Sequence, residues 1–138
     1  VTTTIFKCDE NTFENLVKNF KRGITGGTTV VLNNYDEAMY FSKSIIPNTK
    51  LHELKDYKKL DLFFHVGLYC YSQKIILSYP SLQESYLETK EDLEQLRFLS
   101  NKIPILCVKV NSKNHQIWEL NNESDIIVIE KILKERGI

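Results

Sequence analysis

The sequence has no excess of charge of either sign and no long apolar run. Its 18 Lys and Arg residues balance 18 Asp and Glu residues, so the formal net charge is zero. A binder of nucleic acid or of an anionic membrane normally carries a clear basic excess. The longest apolar runs, such as 62–64 and 126–129, fall far short of the roughly 20 residues that cross a bilayer. We therefore expect no direct nucleic-acid binding and no membrane partner.

Cysteine is scarce, the first residue is Val and not Met, and we expect that the first residues are not a signal peptide. The three cysteines, Cys8, Cys70 and Cys107, are widely spaced among apolar residues, which indicates buried free thiols in a reducing compartment. The missing Met leads us to expect a processed chain or a domain of a longer protein. Hydrophobic residues make up 42% of the 138 residues, enough for a core without a stabilising metal or disulfide.

The motifs of common catalytic and metal chemistry are also missing. The glycines of 23–27 follow a predicted helix and precede a strand, which is the reverse of a phosphate-binding loop and typical of a helix end. His52, His65 and His115 have no zinc-binding spacing to one another or to cysteine. His65 alternates with apolar neighbours, so we expect its side chain on one side of a strand, and solvent is one of the two environments open to that side. We predict no catalytic residue, no metal and no cofactor.

Hydrophobic periodicity and turn residues predict a mixture of strands and helices without regular alternation. This indicates an α+β (mixed α/β) fold, a compact single domain over 1–138 with a mostly antiparallel sheet and candidate sub-lobes at 1–47 and 60–138. The final segment is predicted to be a helix over 124–136, with a buried strand at 125–130 as the alternative. The other predicted elements are strands at 2–7, 28–32, 61–70, 74–79, 103–110 and 116–120, and helices after a cap at Asp9 or Asn11, at 35–46 and from Thr89.

An exposed arginine suggests a protein-binding patch. Arginine is rare in this sequence, and it is enriched where proteins dock because its planar guanidinium makes several oriented bonds. Arg22 ends the first predicted helix beside a turn at 33–36. The alternative is that Phe20 completes the apolar core and that Arg22 only caps the carbonyls at the end of this helix. The candidate patch consists of Phe20, Lys21, Arg22, Tyr35 and Asp36.

The run 9–22, followed by 28–32 and 34–41, resembles the silent information regulator proteins of yeast, in the C-terminal region that binds the origin recognition complex. The likeness lies in a helix, a strand and a second helix, together with an Asn- and Lys-rich character. It implies a nuclear, non-enzymatic docking module for transcriptional silencing. Its implied partners are the bromo-adjacent homology (BAH) domain of the complex's largest subunit and other silencing factors of heterochromatin.

Two other functions stay open from the residues alone. The acids of 84–94, working with a histidine, would suit a small hydrolase-like or phosphoester-binding enzyme, and Cys70 with His115 would be a nucleophilic pair. The lysines of 50–59 would suit a weak nucleic-acid binder, although an equal acidic load opposes it. The protein-docking module is the preferred hypothesis.

Overall fold

Five strands pair into a sheet within the part of the chain that is described. The structure is a computed structural model, and it describes residues 1–23, 27–48, 61–111, 120 and 123–138. The strand order is β3-β2-β4-β1-β5, with antiparallel pairs throughout except for the parallel pair β1–β5. This confirms the α+β prediction with a mostly antiparallel sheet. The strands are β1 (Thr2–Lys7), β2 (Thr29–Leu32), β3 (Ala38–Ser42), β4 (Phe63–Cys70) and β5 (Leu106–Lys109).

Helices pack on both faces of this sheet. On α1 the backbone N–H of Thr12 donates to Asp9 Oδ1 at 2.8 Å, which is the predicted N-cap, and Gly23 follows the helix with φ +69°. The helix predicted at the end of the chain is also confirmed. Within the described residues, no helix is both long and apolar enough to cross a membrane. The helices are α1 (Glu10–Lys21), α2 (Gln73–Ser78), α3 (Tyr86–Glu91), α4 (Gln95–Ser100) and α5 (Glu123–Glu135).

The sheet separates two apolar clusters. The cluster on the α1 side joins Phe6 and Phe64 of the sheet to Phe13 and Leu16 of α1. The cluster on the opposite face is larger, and it packs the sheet against α4 and the segment around it. Its buried members are Ile5, Val30, Ala38, Phe41, Leu93, Leu96, Phe98, Ile105 and Cys107. The candidate site described below lies on this second face.

Two predicted elements are wrong in type. The segment 35–46, predicted as a helix, contains β3, whose residues pair with β2 from Leu32–Ala38 to Thr29–Ser42. The segment 74–79, predicted as a strand, overlaps α2, and Ser72 Oγ caps this helix by accepting the N–H of Ile75. The predicted strand at 116–120 falls almost wholly outside the described residues.

The turn between β2 and β3 reaches the far edge of the sheet. The backbone N–H of Cys107 donates to the carbonyl of Asp36 at 2.8 Å, and the N–H of Ala38 donates to the carbonyl of Ile105 at 2.9 Å. Both candidate sub-lobes, 1–47 and 60–138, therefore contribute strands to one sheet. Their division into lobes stays a prediction.

Candidate functional site

A buried histidine lies at the centre of the sheet. His65 of β4 stands opposite Ile5 of β1 and is 5% exposed, so of the two environments left open by the sequence it has the buried one and not solvent. Its Nε2 lies 2.9 Å from Oγ1 of Thr3. A hydroxyl has one proton, and when Thr3 donates it to the carbonyl of Leu68 at 3.0 Å, the Nε2–H of His65 donates to Thr3. The imidazole is thus held in a defined orientation.

This imidazole is neutral at physiological pH. Burial disfavours the charged ring and lowers the pKa of His65 from 6.5 to about 4. A neutral imidazole donates one hydrogen bond and accepts another, so it can recognise a hydroxyl group without carrying charge. His65 is therefore suited to binding a hydroxyl group through hydrogen bonds and not to pairing with an anion as a charged ring.

Aromatic rings connect His65 of β4 to β3 and to α4. The ring of Phe41 on β3 meets the imidazole edge-on at 5.1 Å, and the ring of Tyr69 lies 5.2 Å away. Tyr71 stacks on Tyr69 at 5.6 Å and contacts Phe98 of α4 at 5.7 Å. Such pairs add to the free energy of area burial and fix the relative positions of the rings. We call these five residues the aromatic ladder.

A carboxylate fastens the end of β3 to the end of α3. Glu91 accepts hydrogen bonds from Ser42 Oγ at 2.8 Å, from the Tyr40 hydroxyl at 3.2 Å and from the backbone N–H of Lys43 at 2.9 Å. The ammonium of Lys43 lies 2.9 Å from Asp92, whose side chain is 93% exposed. Lys43 follows Phe41 of the aromatic ladder by two residues along the chain. Its solvated partner can exchange for a ligand carboxylate.

A second ion pair braces α3 against α4. The guanidinium of Arg97 donates to both oxygens of Glu88, with Nη2–Oε1 at 2.7 Å and Nε–Oε2 at 2.8 Å. Tyr79 lies under the guanidinium at 4.7 Å. Two parallel bonds fix the geometry better than a single contact does. The start of α4, where Glu94 and Gln95 lie, is thereby held in place.

The start of α4 lies next to the aromatic ladder. Burial, then the negative charge of Glu94 and a contribution from Tyr79, raises the pKa of Tyr71 above its ordinary value. Gln95 is almost fully buried at the same corner. We define the His65 site as Lys43, His65, Tyr69, Tyr71 and Glu94. It combines hydroxyls, a neutral imidazole, one cation and one carboxylate, and this set suits a hydroxylated, anionic small molecule.

The acids and cysteines singled out from the sequence have other surroundings. Glu88 is paired with Arg97, and Glu91 accepts the hydrogen bonds from β3 described above. The hydrogen-bond partner of His65 is Thr3. Burial, and then the charges of Asp9 and Asp36 respectively, raise the pKa of Cys8 to about 12 and of Cys107 to about 11, so both are inert thiols. Cys70 is exposed. His52, His115 and the lysines of 50–59 lie outside the described residues.

Metal ligands do not converge in the described part of the chain. The ranges 1–23, 27–48, 61–111 and 123–138 contain no group of three or more His, Cys, Asp or Glu side chains placed to hold a metal ion.

The predicted protein-binding patch is divided between α1 and the β2–β3 turn. Lys21 and Arg22 are exposed at the end of α1, where the side chain of Phe20 is not described. Tyr35 is 81% exposed at the turn, whereas Asp36 forms an ion pair with Lys109 of β5. The turn is therefore held at β5. The binding of a protein by these residues stays a prediction.

Comparison with known proteins gives the relatives described here. No family model matches the chain. A protein of Maricaulis maris is 35% identical over 115 residues, which are 83% of this chain and 43% of the relative. A protein of Bacteroides thetaiotaomicron is 36% identical over 109 residues, 78% of this chain and 42% of the relative. Both are 3-deoxy-manno-octulosonate cytidylyltransferases.

A plant relative and a solved structure agree with these two. The mitochondrial 3-deoxy-manno-octulosonate cytidylyltransferase of Arabidopsis thaliana is 30% identical over 78% of this chain and 36% of its own length. The solved structure is that of CMP:2-keto-3-deoxy-manno-octonic acid synthetase complexed with CTP, with a TM-score of 0.69 at 23% identity. It covers 98% of this chain and 49% of that chain, and it supports the fold described above. The chain thus spans less than half the length of these proteins.

These comparisons overturn the resemblance to silent information regulator proteins. That resemblance needed a helix, a strand and a second helix, but the third element is β3. The implied docking on the BAH domain of the origin recognition complex, the silencing factors and the non-enzymatic role in heterochromatin are wrong, because the relatives are enzymes. The nuclear location is wrong as well, since two relatives are bacterial and the plant relative is mitochondrial. The enzyme alternative fits the relatives better.

Proposed function

We propose that this chain is the sugar-acid-binding part of a cytidylyltransferase that transfers a CMP group from CTP to 3-deoxy-manno-octulosonate. The observation that carries the proposal is the 35% identity to such an enzyme along 83% of the chain. The reaction joins a sugar hydroxyl oxygen to the α-phosphorus of CTP and breaks the bond from that phosphorus to the bridging oxygen. Pyrophosphate leaves, and the hydroxyl proton passes to a base or to water.

The His65 site supports this proposal because its groups match the acceptor sugar. A sugar acid presents several hydroxyls and one carboxylate. The neutral imidazole of His65 and the phenol of Tyr71 exchange hydrogen bonds with hydroxyls, and the ammonium of Lys43 pairs with the carboxylate in place of Asp92. Glu94 accepts from a further hydroxyl. The site thus serves to bind and orient the acceptor, and orientation contributes much of the rate in group transfer.

Calorimetric titration with 3-deoxy-manno-octulosonate tests this function on the chain itself. We expect saturable binding, and we expect about tenfold weaker binding for Lys43→Gln, because the charge-assisted bond to the carboxylate is lost. Lys131→Gln is the matched control, since Lys131 pairs with Glu135 on the exposed surface of α5. A neutral hexose without a carboxylate should bind the parent chain and Lys43→Gln equally weakly. Absence of any saturable heat with the sugar acid would contradict the proposal.

A further inference from the structure

The strand that carries His65 is interrupted just after it. Pairing of β4 with β1 is regular at His65, and its regular continuation would set Thr3 opposite Gly67. Thr3 pairs with Tyr69 instead, because Gly67 and Leu68 bulge out of β4. Tyr69 therefore stands next to His65 on one face of the sheet, with the ring centroids 5.2 Å apart.

The hydroxyl of Thr3 lies at this bulge. Thr3 is 1% exposed, and its Oγ1 lies 3.0 Å from the carbonyl oxygen of Leu68 and 3.4 Å from that of Val66. Carbonyl oxygens only accept, so the single hydroxyl proton goes to the bulge, and the contact of 2.9 Å to His65 takes its proton from Nε2. Nε2 thus carries the hydrogen of the neutral ring, and Nδ1 keeps a lone pair.

This lone pair on Nδ1 of His65 is open to a ligand. Among the described residues Nδ1 has no hydrogen-bond partner, and it is not one of the fully enclosed polar atoms that lack one. An acceptor attracts the proton of a hydroxyl, but it repels the oxygens of an ionised carboxylate, which have no proton to share. The ring therefore distinguishes the two kinds of polar group that a sugar acid presents.

We propose that Thr3 is a positioning residue that makes Nδ1 of His65 the acceptor for a hydroxyl of the sugar acid. Thr3 acts on the ligand through the ring. The carboxylate is then left to the ammonium of Lys43, so Thr3 contributes to the orientation in which the sugar acid binds. The inference rests on the proposed function, because it concerns the same ligand at the same site.

Calorimetric titration of Thr3 variants with 3-deoxy-manno-octulosonate tests this role. Thr3→Val keeps the shape of the side chain without the hydroxyl, and we expect about tenfold weaker binding, because the ring loses the bond that orients it. Thr3→Ser restores the hydroxyl, and its affinity should lie within about twofold of the parent. Thr4→Val is the matched control on the same strand: Oγ1 of Thr4 has no hydrogen-bond partner within the described part of the chain, so the affinity should also stay within about twofold. Thermal unfolding establishes that each variant folds.

The NMR shifts of the two ring nitrogens of His65 give a readout that a merely structural role of Thr3 would not move. At pH 7, where the ring is neutral, Nε2 should be protonated and Nδ1 unprotonated in the parent and in Thr3→Ser, whereas Thr3→Val should show a mixture of the two tautomers. A protonated Nδ1 in the parent, unchanged ring signals in Thr3→Val, equal affinity of Thr3→Val and the parent, or binding by Thr3→Ser as weak as that by Thr3→Val would each overturn the inference and leave the proposed function standing. Absence of binding by the parent would overturn both.

Discussion

Gly27→Ala should lower the free energy of unfolding by about 4 kcal/mol, a large share of the stability of a small domain. Gly27 has a φ of +136°, which side-chain-bearing residues rarely adopt. A Cβ there would lie 1.9 Å from Cζ of Phe64, so the ring would have to move. Phe64 is buried against Phe6, with ring centroids 5.3 Å apart, and a shift of its ring would disrupt the cluster beneath α1.

Urea denaturation of two alanine variants measures this effect. Gly67→Ala is the control, because Gly67 lies on β4 and a Cβ there would meet no atom within 4 Å. We expect this control to stay within about 1 kcal/mol of the parent. Equal midpoints for the two variants would show that the approach of Gly27 to Phe64 is not tight.

The free energy of unfolding should fall by about 3 kcal/mol as the pH drops from 6.5 to 4 because of His65 alone. The folded-state pKa of His65 is about 4, below the ordinary 6.5, so within this window the unfolded chain binds a proton that the folded chain refuses. Stability is therefore lost as the pH falls through the window, at up to about 1.4 kcal/mol per pH unit. The pH dependence from this group fades above pH 7 and is nearly absent above about pH 8.

Denaturation curves of the parent and His65→Gln at several pH values isolate this contribution. Glutamine keeps a hydrogen-bonding group near Thr3 but does not titrate. The difference between the two proteins should shrink or reverse by about 3 kcal/mol from pH 6.5 to pH 4, while contributions of other groups cancel. A constant difference across this range would mean that His65 titrates normally and is not enclosed by Phe41 and Tyr69.

The error at 35–46 has a definite physical cause. The side chain of an asparagine can cap a helix or close a turn, and in both cases its oxygen accepts N–H groups shortly after it in the chain. Here Asn33 Oδ1 accepts from Tyr35 at 2.9 Å and from Glu37 at 3.0 Å, and Asp36 adopts a φ of +59°. The chain therefore turns back into β3. Pairing with β2 decides between the two outcomes, and local sequence does not contain that information.

The error at 74–79 arises in the same way. Ile75, Ile76 and Leu77 are apolar and partly β-branched, which favours a strand. The Ser72 cap and the absence of a paired strand make the segment a helix with no buried residue. In contrast, β1 and α1 were predictable, because the β-branched run and the apolar spacing of these segments agree with their tertiary environment.

The candidate site was harder to predict than the fold. Alternation around His65 placed its side chain on one face of a strand, but whether helices cover that face depends on α4, which is thirty positions further on. The role of Glu91 likewise depends on the distant end of β3. The signals that the sequence did contain were the closely spaced tyrosines after His65 and the capping serine before α3. These signals indicate that the segment between β4 and α4 is well ordered, but they do not indicate which ligand it binds.

The most direct test of the central claim, that the His65 site binds the sugar acid, is the NMR signal of the His65 ring during titration with 3-deoxy-manno-octulosonate. Comparison with His65→Gln assigns this signal among the three histidines. We predict that it shifts with the same concentration dependence as the calorimetric binding and that a neutral hexose leaves it in place. Saturable binding of the sugar acid with an unmoved His65 signal would contradict the claim.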